Sequence, residues 1–162
     1  MERPQQIEPE GLADYLAVLT KAVFQSGISW RVIEAKWDGF VAAFEGFDPR
    51  KVADLTPDDV DRLAEDTRIV RNRRKIEATI TNAETMLTLD GGPGGFNGWL
   101  RSHADFDATV AALRGEFRFL GDTGAYYFLY VIGERVPPHE EWMKAHESAP
   151  RRGSAPRPAR KT

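Results

Sequence analysis

The 162-residue sequence predicts an all-α domain. Three observations carry that expectation: apolar residues recur at i, i+3, i+4 in successive segments, cap residues, prolines and glycines bound those segments, and no convincing length alternates with period two. A chain of this size with 41% hydrophobic residues suits one domain with its own core. No self-similar repeat divides it.

Leu12, Tyr15, Leu16, Leu19 and Val23 share one helical face, which predicts a first helix over about 10–26, stopped at Gly27. Ser29 then caps a second helix through Trp30, Ile33, Trp37, Phe40, Val41 and Phe44, ending at Gly46. Asp48-Pro49 and Thr56-Pro57 are two further helix starts, because proline at the first helical position loses no needed hydrogen bond. A long helix from about Asn72 to Leu89 carries Ile76, Ile80, Ala83 and Leu87 on one side, and GGPGGFNG breaks it into a surface loop. A short helix near Phe96–Arg101 and another from about Asp107 to Arg114 lead to a Phe-Arg-Phe-Leu-Gly hairpin. The helix after the hairpin runs to Ile132, Val-Pro-Pro ends it, and His139–His146 forms a last short helix. Eight or so helices thus occupy residues 1–147, while 148–162, SAPRRGSAPRPARKT, reads as a disordered basic tail.

The tail holds five Lys/Arg and no acid, so of the formal net charge of −3 the first 147 residues carry −3 less +5, or −8. That balance argues against a nonspecific nucleic-acid glue; contact with DNA must come from local patches. No cysteine is present, which excludes disulfides and thiolate metal sites. The acidic, proline-containing start MERPQQIEPEGLADYL lacks the basic and apolar regions of a signal peptide, and no segment has membrane-spanning length. A soluble, cytoplasmic, monomeric protein without membrane contact is expected. Of the histidines His103, His139 and His146, the last two are not at the i, i+4 spacing that joins two imidazoles on a metal, so no metal is expected. A phosphate loop, a dinucleotide fingerprint and a G-x-S-x-G elbow are all missing, and no cofactor is expected.

Three stretches offer chemistry. QSGISW places Trp30 just inside a helix after a tight turn, although a lone tryptophan is more often core. RIVRNRRK packs five positive charges into eight residues at a helix start; this is either a solvated face or a strip that contacts phosphates. FRFLG sits between two amphipathic helices with amides free to hold a phosphate, but any helix-turn-helix needs a glycine. Glu134, Glu140 and Glu141 are acids near that hairpin, where an exposed glutamate is most often simply solvated.

Together these stretches resemble the DNA-3-methyladenine glycosylase I family, a branch of the helix-hairpin-helix DNA glycosylases. QSGISW resembles its Q-x-G-[LI]-S-W; FEGFDPRKVADLTPDDVDRLAEDTRIVRNRRKI resembles its F-x-x-FD-x-x-x-VA run ending in I-[IV]-R-[HN]-R-x-KI; EFRFLGDTGAYYFLYVIG resembles its G-F-[KR]-F-[VL]-G hairpin and following helix. The match spans about Leu19 to His139 in consistent order. Departures accompany it. The family's base-recognising glutamate, eight residues before the tryptophan, is Ala22 here, with Lys21 beside it. The N-terminal Y-H-D-x-E-W-G segment and early cysteine are absent, and Met143 stands four residues after His139 where the family has cysteine, so the structural zinc is not expected.

The resemblance implies a compact helix-hairpin-helix domain that flips a damaged base out of double-stranded DNA and hydrolyses its N-glycosidic bond. A cationic N3-alkylated purine is already a good leaving group, and Trp30 would stack on it, with Gln25 and Ala22 in the base pocket. Phe119, Leu120, Gly121 and Thr123 would hold a backbone phosphate, with Arg71, Arg73, Arg74 and Lys75 adding electrostatic contacts. Superfamily members that also cleave the backbone carry lysine two residues after the hairpin glycine; Thr123 there implies no lyase step. Those relatives place an aspartate about twenty residues after that glycine that helps activate water or stabilise the sugar cation, where Glu140 or Glu141 would fall as the catalytic carboxylate, although the methyladenine branch lacks it. Two other readings use the same residues: a DNA- or damage-binding protein that does not cut, or a helical interaction module with Trp30 in its core. A Trp30 ring facing an open cleft beside the hairpin separates the first two from the third.

Deleting residues 148–162 is expected to weaken DNA binding at low salt, with the deficit shrinking toward about 0.15 M, where the Debye length falls to about 8 Å. Fluorescence anisotropy across a salt series checks this.

Overall fold

The computed structural model describes residues 4–147, less the side chains of the last two; the tail expected at 148–162 lies outside the described residues. Among the described residues the fold comprises ten α-helices and a short 3-10 turn: α1 (Leu12–Gln25), α2 (Trp30–Ala35), α3 (Trp37–Ala43), the turn Glu45–Phe47, α4 (Pro49–Ala53), α5 (Pro57–Leu63), α6 (Arg73–Asp90), α7 (Gly95–Leu100), α8 (Phe106–Glu116), α9 (Asp122–Val131) and α10 (His139–Glu147). No strand occurs among the described residues, and no helix there is long and apolar enough to cross a membrane.

The helix starts follow their caps. Ser29 accepts from the Arg31 amide, Asp48 from Arg50, Asn72 from Lys75 and Asp105 from Ala108. Thr56 and Asp59 form a reciprocal capping box behind Pro57. One expectation fails: the helix begun at Trp30 breaks at Lys36 instead of running to Phe44. The Lys36 ammonium donates to the Thr67 carbonyl at 2.9 Å. Gly39 lies so close to the Arg68 backbone that a Cβ there would sit 2.3 Å from the Arg68 oxygen. Both anchors hold α3 to the 66–70 loop, out of line with α2.

α1 is the central helix, packing on α9, α6 and α2. Its Leu16, Leu19, Val23 and Phe24 are fully buried, and Phe24 meets Phe40 edge-on with ring centroids 4.8 Å apart. α6 is the other long support. Beside Ile76, Ala83 and Met86 it buries the polar residues Lys75, Thr79 and Asn82, and each has a partner. Lys75 Nζ donates to the Phe24 carbonyl at 3.2 Å and to the Ser26 carbonyl at 2.5 Å. Thr79 bonds the Lys75 carbonyl. Asn82 takes the Arg118 amide at 2.8 Å and gives its own N–H to the Arg118 carbonyl at 3.3 Å.

Lys75 therefore corrects the sequence reading. At 6% exposure it is not a phosphate contact; it neutralises the carbonyl end of α1, where a helix leaves unpaired acceptors and favours a cation. Burial pushes its ammonium below the usual lysine range. The inward face of α6 recruited it, whereas Arg71, Arg73 and Arg74 stay exposed.

Lys75→Met and Asn82→Ala should each lower stability by about 1–3 kcal/mol, the cost of stranding buried hydrogen-bonding partners. Urea unfolding with an unchanged m value checks this.

Candidate functional site

The turn after α1 sets the site. Gly27 adopts φ +78°, a conformation side chains rarely take, and Ser29 then starts α2, so Trp30 stands at its first position. Ile33 is fully buried and anchors α2, while Trp30 and Glu34, one turn apart, line a cavity of about 640 Å³. That volume is in the range of small-molecule sites.

Four helices, α2 among them, and a strap build its walls. From α1 come Asp14, Ala17, Val18, Lys21, Ala22 and Gln25, one continuous stripe at helical spacing. α9 contributes Tyr127, Phe128 and Val131, and Trp37 comes from the start of α3. Pro4, Gln5 and Ile7 close the remaining side. The Ile7 amide donates to the Val131 carbonyl at 2.8 Å and the Gln6 side-chain amide to the Tyr130 carbonyl at 2.8 Å, which ties this strap across the end of α9. The divergent N-terminus thus supplies a wall of the cavity.

Trp30 is 39% exposed and its ring carries the Arg31 guanidinium at 5.7 Å. Trp37 stacks on Phe40 and Phe47 with centroids 5.3 Å apart, and the Lys21 ammonium lies over it at 5.0 Å. Lys21 also pairs with Glu34 at 2.8 Å. Ala22 is almost buried, and a Cβ on Gly124 of α9 would come within 3.6 Å of its methyl. Ala22 is therefore cavity floor, at the close crossing of α1 and α9.

The hairpin between α8 and α9 stands at the other end of α9, about 9 Å along the axis from Tyr127 at 1.5 Å per residue. Leu120 is buried and touches the position of Gly124, so its side chain serves the core. Phe119 is 42% exposed and has φ +59°. The residue with left-handed backbone is thus Phe119 and not the glycine: Gly121 has φ −98° and open space around its Cβ position. Thr123 is exposed on the first turn of α9. Arg74 reaches over the Phe119 ring at 5.5 Å, which joins the basic strip to the hairpin, and Arg114 bridges to Asp122 at 2.9 Å. Arg73 pairs with Asp61 at 2.8 Å.

The chain belongs to the methyladenine glycosylase family. Its family model matches residues 12–115, from the start of α1 almost to the end of α8. DNA-3-methyladenine glycosylase 1 of Escherichia coli (strain K12) is 32% identical, over 67% of this chain and 70% of that protein. DNA-3-methyladenine glycosylase of Haemophilus influenzae is 26% identical over the same shares. A 3-methyladenine DNA glycosylase I solved in complex with 3-methyladenine superposes with a TM-score of 0.70 at 27% identity, covering 80% of this chain and 81% of that one. The hairpin between α8 and α9 lies just past the end of the family match.

Sequence reading placed Trp30, Gln25 and Ala22 at the methyladenine glycosylase pocket, and all three line the cavity. It did not single out Asp14, Trp37 or Tyr127, and left Lys21 and Glu34 unassigned; the α1 stripe was the signal available for Asp14 and Lys21. Glu140 and Glu141 open α10, both exposed, and neither lines the cavity. Trp142 swings that helix onto Phe106 and Tyr126, on a different face of α9 from Tyr127. Glu134 bonds Arg101 at 2.7 Å. Among the described residues no group of three potential ligands is placed to hold a metal.

Glu140→Gln and Glu141→Gln should leave base release near the wild-type rate, far short of the ~100-fold or larger loss that removing a general acid or base causes. Single-turnover assays on alkylated duplex check this.

Proposed function

We propose that this methyladenine glycosylase flips an alkylated, 3-methyladenine-like base out of duplex DNA into the α1–α2–α9 cavity and hydrolyses its N-glycosidic bond, as a base-excision repair enzyme. The observation that carries the reading is the exposed Trp30 ring on the wall of a cavity of about 640 Å³, large enough to admit a base. Were this an interaction module with Trp30 in its core, that ring would be packed.

The chemistry suits the lining. Alkylation at a ring nitrogen leaves the base positively charged, so the bond electrons return to it without a prior proton transfer, and water completes the sugar at C1′. Electron-rich tryptophan and tyrosine faces favour such a base over a neutral one. In this reading the amides of Phe119–Gly121, with Thr123, hold a backbone phosphate, and Arg71, Arg73 and Arg74 add charge beside them. Two features support that role. Gly121 has no internal need to be glycine, so its bare Cα leaves room for a close outside approach, and the left-handed Phe119 is local strain of the kind found at functional turns. Thr123 supplies no amine for a Schiff base, hence the enzyme is monofunctional. Residues 1–147 form the glycosylase domain, the basic tail adds nonspecific phosphate attraction, and the protein acts as a cytoplasmic monomer without cofactor.

Trp30→Ala should lower release of 3-methyladenine from duplex by about 5- to 100-fold, matching the 1–3 kcal/mol of one base–aromatic stack, with little change in Tm. Arg71→Ala and Arg74→Ala should each reduce the salt slope of DNA binding by about one. Retained, salt-sensitive DNA affinity with no release of any lesion would instead make the protein a binder, consistent with the methyl of Ala22 where an acid would stand.

A further inference from the structure

Inside the cavity one pair of side chains is poised to read a base edge. Lys21 and Glu34 come from different helices, both line the cavity, and meet at 2.8 Å. Lys21 is 27% and Glu34 46% exposed at the side chain, and an ion pair so open to water adds little to stability. The pair presents an ammonium donor and a carboxylate acceptor side by side. A purine edge that sets a carbonyl or ring nitrogen next to an N–H matches that pattern.

Lys21 also weakens the preference of the cavity for a cation. Asp14, Lys21 and Glu34 are the charged residues of the lining, so Lys21 cancels one of two carboxylates. Its ammonium also lies over the Trp37 ring, whose other close neighbours are Phe40 and Phe47. That aromatic face is thus already occupied by a protein cation, and a positively charged base gains less from it.

Resting on the glycosylase reading, we infer that the Lys21–Glu34 pair is a specificity determinant that lets the cavity take neutral purine lesions, such as a deaminated purine, alongside cationic ones. For a neutral base the glycosidic electron pair leaves with the ring nitrogen as an anion. Lys21 stabilises that anion by donating a hydrogen bond; water gives its hydroxyl to C1′ and its remaining proton to the released base.

The test compares wild type with Lys21→Met, which keeps the apolar stem, and Glu34→Gln, on matched duplexes containing 3-methyladenine (cationic) or hypoxanthine (neutral). Release rates are measured, and so is affinity for the same duplexes with 2′-fluoro sugars, which resist cleavage. In Lys21→Met the neutral-to-cationic ratio should fall by about tenfold or more, the scale of one charge-assisted hydrogen bond, and Glu34→Gln should weaken affinity for both. Ratios within twofold of wild type in both measurements would overturn the inference, leaving the glycosylase reading intact if bases are still released. A shifted affinity ratio without release of any base would sink the glycosylase reading alone and keep the pair as a reader.

Discussion

The ammonium of Lys75, buried against the carbonyl end of α1, is the contact on which the site depends. It fixes where α1 stops, and hence where the Gly27 turn points Trp30. Seven residues further along the same face of α6, Asn82 holds both backbone groups of Arg118 and with them the hairpin. One helix face therefore registers the Trp30 cavity and the hairpin against each other. A burial penalty on a lysine is tolerable here because two carbonyls at the helix end accept hydrogen bonds from its ammonium.

α9 performs the complementary job from the other side. Its first turn emerges from the hairpin and its later turns line the cavity, so a phosphate held at one end and a base held at the other would share a rigid rod. The close crossing of Ala22 with Gly124 makes that geometry tight. A longer side chain at 22 would have to leave this crossing toward the cavity. With alanine there, the charged groups of the pocket come instead from the neighbouring rungs of α1 and from α2, at Asp14, Lys21 and Glu34.

Most of the helical order was legible in the chain. The caps at Ser29, Asp48, Thr56 and Asn72 are local hydrogen bonds, so a local pattern announces them, and family motifs carried the likeness to methyladenine glycosylases. The break at Lys36 was not legible, because the Thr67 carbonyl and the Arg68 backbone that cause it come from a loop thirty residues away. Lys75 was misjudged for a related reason. A run of positive charges looks uniform in sequence, but the helical rotation of α6 turns Arg74 toward Phe119 and Lys75 toward α1.

The sequence by itself determined the all-α class and the turn that presents Trp30, since each depends on residues close in the chain. Tertiary structure alone decided which charges meet. It brought Lys21 to Glu34 and Trp37, kept Glu140 and Glu141 away from the cavity, and folded residues 4–7 over α9 as a wall. Those outcomes rest on contacts between separate helices, and the side-chain directions that produce them follow from packing rather than from spacing along one segment.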